Sequence, residues 1–397
     1  MVKKIGLILG PLSFIFLNSL SLENIDEKAS VVIALAAWMI IWWISEAVSI
    51  SVTSLLPLVI FPLFQVMEIN QVGANYGSSI VFLFFGGFVL ALALEKVNLH
   101  KRIALTIINK TGTSPNRVIL GFMIATAFMS MWISNTASTV VMLPIALSVI
   151  NLLIDNKKGG AKSEKNFSLS VMLGIAFSAN SGGIATVIGT PPNSVLIGLL
   201  ENEYNIEISF LNWMVIGLPF SMILLAIVYL LLTRVLFRNE NIKFKSSSQL
   251  ISNKLNELGK LSKKEMHVLI IFGITVFLWI FRTLINKLIP GFKLSDTIIS
   301  VGCAISLFAI PSKFSKPQFI LKWNDTKNLA WGILILFGGG LALAKGMSET
   351  GIVSLITDSI ADANLNILIT VSLLITMMLF MTELMSNVAL VAVLAPV

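Results

Sequence analysis

Long apolar stretches recur along this chain of 397 residues, as at 31–44, 78–94, 213–237 and 266–281. They approach or reach the roughly 20 residues that cross a bilayer as a helix. A soluble domain carries about a quarter charged residues to face water, whereas here 12% are charged and 56% are apolar. The stretches are too continuous for the alternating strands of a barrel, so the chain reads as an all-α integral membrane protein. A single cysteine, Cys303, excludes a disulfide framework and any multi-cysteine metal site. Lys3 and Lys4 followed by apolar residues 5–20 resemble a signal peptide. Residues 19–25 offer a poor small-residue cleavage site, so an uncleaved first span is expected.

Spans are expected near 5–20, 31–46, 47–64, 77–95, 168–200, 212–237, 265–286, 297–311 and 329–347. Charge between them sets the topology. With the N-terminus inside, inside loops hold 22 of the 28 basic residues, while outside loops hold acids such as Glu23, Asp26, Glu201 and Glu203. This is the positive-inside pattern of a cell inner (plasma) membrane protein. The net charge of +8 is therefore a topology signal, with membrane lipid and no nucleic acid as the implied surroundings. Both ends of 117–154 fall inside, and the arms meet at Ser134-Asn135-Thr136 with no room for a solvated loop. That favours a re-entrant hairpin, tolerated where protein or water surrounds its tip.

The chain also repeats itself. Phe85-Gly86-Gly87 recurs as Phe337-Gly338-Gly339, Ser134-Asn135 as Ser386-Asn387, and Pro144 as Pro396, each 252 residues on. Ser130 aligns with Thr382. The first hairpin opens from inside and its counterpart from outside, so the repeat is inverted, a transporter architecture. The expected layout is a first span and outer loop over 1–30 and a first repeat over 31–237. A flexible cytoplasmic linker over 238–264 and a second repeat over 265–397 follow.

Three polar clusters interrupt the apolar background: Ser130 with Ser134 to Thr139, Asn180 to Thr186 running into Gly189-Thr190-Pro191-Pro192-Asn193, and Thr382 with Ser386-Asn387. Two prolines remove two backbone donors and the glycines permit non-helical backbone, so the helix over 168–200 must unwind near 181–193. Carbonyls and amides freed at membrane depth need a ligand, water or protein. Hard carbonyl and hydroxyl oxygens suit a sodium ion, and amides at half-helix N-termini suit a carboxylate. A bound sodium ion would supply the positive charge that the anion needs, which couples the two ligands.

Plainer readings account for some of these residues. Ser138, Thr139 and Ser148 read as helix packing, and so does the segment from Phe82 to Gly87. Arg234 and Arg282 lie near span ends and can snorkel, while Glu46 and Glu383 could anchor backbone or hydroxyl groups near a hairpin base.

Taken together and in this order, the three clusters resemble the divalent anion/sodium symporter family, the sodium-dicarboxylate symporters, over nearly the whole chain. The resemblance implies a first sodium site of Ser130, Ser134, Asn135 and Gly189, and a second of Thr382, Met385 and Asn387. Substrate carboxylates would meet Asn135, Thr136, Thr190 and Asn387, with Pro191, Pro192 and Asn193 in support. It further implies a homodimer and an elevator-type motion that couples sodium entry to uptake of C4-dicarboxylates. Val388 departs from the family's usual Ser-Asn-Thr, so one hydrogen bond to substrate is lost there. The chain also ends at Val397, inside the second hairpin. The second repeat is therefore expected to be incomplete, and residues 1–397 alone are expected to take up no labelled succinate above background.

Three rival readings stand beside the symporter, and the exchanger is the nearest alternative. A sodium-independent dicarboxylate or citrate exchanger would place a basic group in the ion's position, and none adjoins either Ser-Asn pair. A membrane enzyme lacks its motifs: His100 and His267 are the only histidines, both at loop edges. A passive channel normally draws selectivity from oligomeric rings rather than from two hairpins in one chain.

Overall fold

The computed structural model describes residues 2–20, 25–112, 114–154, 161–237, 247–289, 291, 293–311, 318–362, 366–383 and 386–395. Helices dominate it. In chain order they are α1 (Val2–Ser19), α2 (Glu27–Ser45), α3 (Ile50–Thr53), α4 (Leu56–Leu63), α5 (Ile69–Tyr76), α6 (Ser79–Lys96) and α7 (Leu99–Thr111). Next come α8 (Pro115–Ser130), α9 (Asn135–Ile154), α10 (Ala161–Ile184), α11 (Pro191–Tyr204), α12 (Phe210–Leu230) and α13 (Ser247–Glu257). The last are α14 (Lys263–Leu288), α15 (Asp296–Ala309), α16 (Trp331–Glu349), α17 (Ile352–Asp362), α18 (Ile367–Met381) and α19 (Asn387–Leu394).

Seven helical stretches among the described residues are long and apolar enough to cross a membrane: Val2–Ser19, Glu27–Ser45, Ile69–Lys96, Glu164–Ile184, Phe210–Leu236, Lys263–Leu288 and Trp331–Glu349. Their burial supports the same reading. Only 17% of the Phe210–Leu236 window and 22% of the Lys263–Leu288 window is buried, and large apolar side chains such as Ile216, Phe220, Ile223 and Phe277 stand exposed. Apolar faces of that extent belong in hydrocarbon rather than in water. The chain is an all-α membrane protein.

The sequence recurrence extends to the helix boundaries. Helices α6, α7, α8 and α9 begin at 79, 99, 115 and 135, and α16, α17, α18 and α19 at 331, 352, 367 and 387. The offset is 252 for three pairs and 253 for the other. The packing differs between the copies: α8 buries ten residues along its length, α18 none.

The chain divides into two compact units, each assembled from separate stretches: residues 1–84, 194–208 and 330–397, and residues 85–193 and 209–329. Two of the four boundaries fall within α6 and α11, and the other two lie just before α12 and α16. In the first unit α1 lies tightly on α2, because Gly6 and Gly10 leave no side chain between them. A Cβ on Gly6 would stand 2.0 Å from the Ser45 hydroxyl, and one on Gly10 would stand 2.5 Å from the Trp38 and Trp42 rings. Small residues four apart allow this approach in lipid. Helix α16 packs against α2, α4, α5 and α19.

In the second unit α8 packs on α7, α9 and α10 around a core that includes Ile119, Phe122, Met123, Val149 and Phe167. Ser262 caps α14 reciprocally: its hydroxyl accepts from the Glu265 amide and the Glu265 carboxylate accepts from the Ser262 amide.

Three expectations need correction. The span at 47–64 is two short helices, because Pro57 has no amide to bond the Thr53 carbonyl and the backbone turns at Ser54–Leu55. The linker over 238–264 is not simply flexible. Residues 238–246 lie outside the described residues, but the following residues form α13, with Leu255 and Leu258 against the core. Arg102 fixes the end of α13 by donating to the carbonyls of Leu258 and Gly259 and to Glu265. Arg282 does not snorkel: its side chain is 13% exposed and lies 3.4 Å from the Asp296 carboxylate. Glu46 pairs with Lys3 at 3.2 Å, exposed on both sides.

His100, buried near the start of α7, donates through Nδ1 to the Leu94 carbonyl at 3.0 Å, since a carbonyl can only accept. Burial lowers its affinity for protons, opposed by that hydrogen bond and reinforced by Lys101. The unfolded chain therefore takes up the proton first, near its ordinary pKa of about 6.5. The stability that neutral His100 confers is complete above that pH and falls as the pH drops toward the folded-state value. Thermal denaturation of the purified protein between pH 5 and 8 is expected to show this loss. His100→Asn keeps a donor for Leu94 and is expected to flatten the slope.

Candidate functional site

Residues 130–135 and 180–193 meet inside the second unit. Helix α8 ends at Ser130, four residues turn the chain, and α9 starts at Asn135. Helix α10 stops at Ile184, and Pro191 restarts the chain as α11. The unwound stretch is thus 185–190, narrower than 181–193. Neither Pro191 nor Pro192 can bond a carbonyl of the preceding turn, which compels the break.

The break is held open by side chains. Asn193, 8% exposed, donates from Nδ2 to the carbonyls of Gly183 at 3.0 Å and Thr186 at 2.8 Å. The Trp213 indole donates to the Ile184 carbonyl at 2.9 Å, and the fully buried Thr186 hydroxyl donates to the Met131 carbonyl at 2.5 Å. These bonds satisfy terminal carbonyls of α10 and lock the 185–190 stretch onto the 131–134 turn. Around them Phe210 stacks on Trp279 with centroids 4.3 Å apart, and Trp132 packs on Phe272 at 4.9 Å.

Oxygen atoms converge beside Gly189. An added Cβ there would lie 2.6 Å from the Gly183 carbonyl oxygen and 3.0 Å from that of Ser130. The Ser130 hydroxyl, fully buried, donates to Asn135 Oδ1 at 2.6 Å, and a Cβ on Gly183 would stand 2.4 Å from that same oxygen. Asn135 Nδ2 in turn donates to Asn180 Oδ1 at 3.1 Å. The arrangement is a group of neutral oxygens at the negative end of α10, next to the positive ends of α9 and α11. Hard neutral oxygens of this kind suit a small monovalent cation more than a transition metal. Among the described residues no group of three His, Cys, Asp or Glu could hold a metal.

Of the expected first-site residues, Ser130, Asn135 and Gly189 come together. Ser134 is half-buried, and its hydroxyl accepts from the Ala137 amide at 3.2 Å as a cap on α9. Thr136 is exposed on the first turn of α9, and Thr190 is half-buried at the start of α11 with its carbonyl accepting from Asn193. Asn180, Gly183 and Trp213 join the site without having been assigned to it from sequence. Asn180 and Gly183 are three residues apart on α10 and so share a face, a signal the sequence did contain. Trp213 gave none.

In the first unit, Thr382 is half-buried and its hydroxyl donates to the Leu379 carbonyl at 2.8 Å. Asn387 is exposed at the start of α19, as Asn135 starts α9, and Val388 is half-buried. Met385 lies outside the described residues.

A family model described as Citrate transporter matches residues 40–397. The chain belongs to this family. It is therefore a multi-pass membrane transporter of the cell membrane and not an enzyme. It is 41% identical over 399 residues to the sodium-dependent dicarboxylate transporter SdcS of Staphylococcus saprophyticus, covering 99% of this chain and 77% of the relative. It is 42% identical over 365 residues to the protein of that name from Staphylococcus aureus strain USA300, covering 91% of this chain and 70% of the relative.

Asn193 offers a direct check on the break. Asn193→Asp replaces a two-hydrogen donor with an acceptor facing two carbonyls. Leaving these groups unpaired costs about 1–3 kcal/mol each, so a melting temperature lower by several degrees is expected in detergent.

Proposed function

We propose that the protein is a secondary active transporter that couples sodium entry to uptake of C4-dicarboxylates such as succinate, malate and fumarate. The observation that carries this reading is the convergence of the Ser130 and Gly183 carbonyls beside Gly189, with Asn135 Oδ1 against Gly183 and the Ser130 hydroxyl. Sodium held there adds a positive charge next to the N-termini of α9 and α11, where Thr136 and Thr190 offer hydroxyls to a carboxylate. The names of the staphylococcal relatives support both ligands.

The hairpin of α8 and α9 enters and leaves the membrane on one side, and the hairpin of α18 and α19 enters from the other. Residues 31–237 and 265–397 are the two inverted repeats. Thr382, Met385 and Asn387 contribute to a second sodium site. Substrate crosses by an elevator-type motion within a homodimer. The equal spacing of helix starts supports the repeat, and a break in a helix lined with polar groups is the usual site architecture of such carriers.

The test is uptake of labelled succinate by cells expressing the protein, with sodium replaced by lithium or choline. Malate, fumarate, citrate and sulfate serve as competitors. Uptake should require sodium and fall most with malate and fumarate. Equal uptake in choline would instead identify a sodium-independent exchanger.

A further inference from the structure

The second unit holds a separate cavity of about 590 Å³, remote in sequence from the hairpin residues. Three lysines line it from three segments: Lys96 at the end of α6, Lys264 in the first turn of α14 and Lys322 ahead of a 3-10 turn at Trp323–Asn328. Ser262 and Gln318 add polar groups and Phe319 an apolar edge. Among the described residues no acid lines the cavity. Two neighbouring carboxylates have partners: Glu265 binds Arg102 and the Ser262 amide, and Asp325 pairs with Lys96 and accepts from the Lys322 amide. Burial tends to raise the Asp325 carboxyl, but Lys96 and Lys322 hold it below the usual range, so its one negative charge is shared between these two lysines. The three lysine charges at the cavity thus exceed the one negative charge of Asp325.

Other groups favour the same ligand. The Ser262 oxygen already accepts from the Glu265 amide, which leaves its proton for another acceptor. The N-terminus of the 26-residue helix α14, its positive end, begins beside the lining residues Ser262 and Lys264. All three lysines belong to segments that the positive-inside rule assigns to the cytoplasmic face. A basic pocket at that face meets the anionic headgroups of the inner leaflet.

We propose that this cavity binds a phosphate group, presented as the headgroup of an anionic membrane lipid. Lys264 and Lys322 pair with the phosphate oxygens, the Ser262 hydroxyl donates to one of them, and Phe319 meets the apolar part of the lipid. The site is independent of the sodium and dicarboxylate reading.

The test measures lipid retained by the purified protein in native mass spectrometry, with phosphatidylglycerol, phosphatidylcholine or inorganic phosphate as the probe. The wild type should retain phosphatidylglycerol over phosphatidylcholine. K264Q/K322Q should bind it roughly 30-fold more weakly, at about one lysine contribution each, and K264R/K322R should retain it. If the double glutamine variant does not fold, the single variants K264Q and K322Q carry the comparison. Occupancy by inorganic phosphate that the glutamine variants abolish would support the site while naming a soluble source. Retention of phosphatidylglycerol unchanged by the substitutions, or binding of neither anionic probe, overturns the proposal.

Discussion

Replacing Gly183 with alanine is expected to weaken sodium binding roughly 10- to 100-fold while leaving the melting temperature within a few degrees of wild type. The added Cβ would stand 2.4 Å from Asn135 Oδ1, the end of a side chain that can rotate away. Rotation takes with it the oxygen that accepts from Ser130 and the amide that reaches Asn180. An interaction with a charged partner is worth about 1.5–3 kcal/mol, which converts to that range in affinity. The neighbouring residue behaves differently. A Cβ on Gly182 would stand 2.2 Å from the Ala127 carbonyl oxygen and 2.6 Å from the Ala127 Cα, both backbone atoms of α8. Gly182→Ala must push α8 from α10, and overpacking of this kind costs about 1–3 kcal/mol or more. Thermal denaturation with and without sodium separates the two variants. G183A should lose the sodium-induced shift, and G182A should melt early under both conditions. A sodium shift preserved in G183A would remove Asn135 from the ion's surroundings.

Arg102→Ala is expected to destabilise the protein by about 3–5 kcal/mol. The Arg102 and Glu265 side chains are 15% and 7% exposed, and removing one member of such a pair leaves a buried charge without compensation. Arg102 also holds the carbonyls of Leu258 and Gly259, so its loss frees the end of α13. Arg102→Lys should recover only part, since an ammonium cannot present the guanidinium's fork to a carboxylate and two carbonyls. Proteolysis near residues 255–262 should accelerate most in R102A and less in R102K. Equal proteolysis in all three proteins would mean that α13 is held by its apolar face alone.

The reach of sequence reasoning follows from what each feature depends on. Apolar length is a local property, so most of the spans and the all-α class were legible, as was the turn that precedes Asn135. The proline pair dictated a break in the helix, and it lies within the expected window. The break is narrower because Asn193 and Trp213 satisfy carbonyls through bonds that no local pattern encodes. The linker was misread for a related reason. Its anchor, Arg102, lies 163 residues from Glu265, and a polar segment between apolar runs gives no sign of such a partner. Arg282 likewise looked like a span-end residue until Asp296 was found beside it. Asn180 and Gly183 were visible as a motif, but their contact with Asn135 depends on how α9 and α10 pack.

The central claim is that neutral oxygens beside Gly189 bind sodium and that the bound ion creates the site for a dicarboxylate. The most direct measurement is the shift in melting temperature caused by succinate in the purified protein, with sodium chloride or choline chloride at equal ionic strength. Succinate should raise the melting temperature in sodium, with a shift that grows with sodium concentration, and should have no effect in choline. A succinate shift of equal size in both salts would contradict the account.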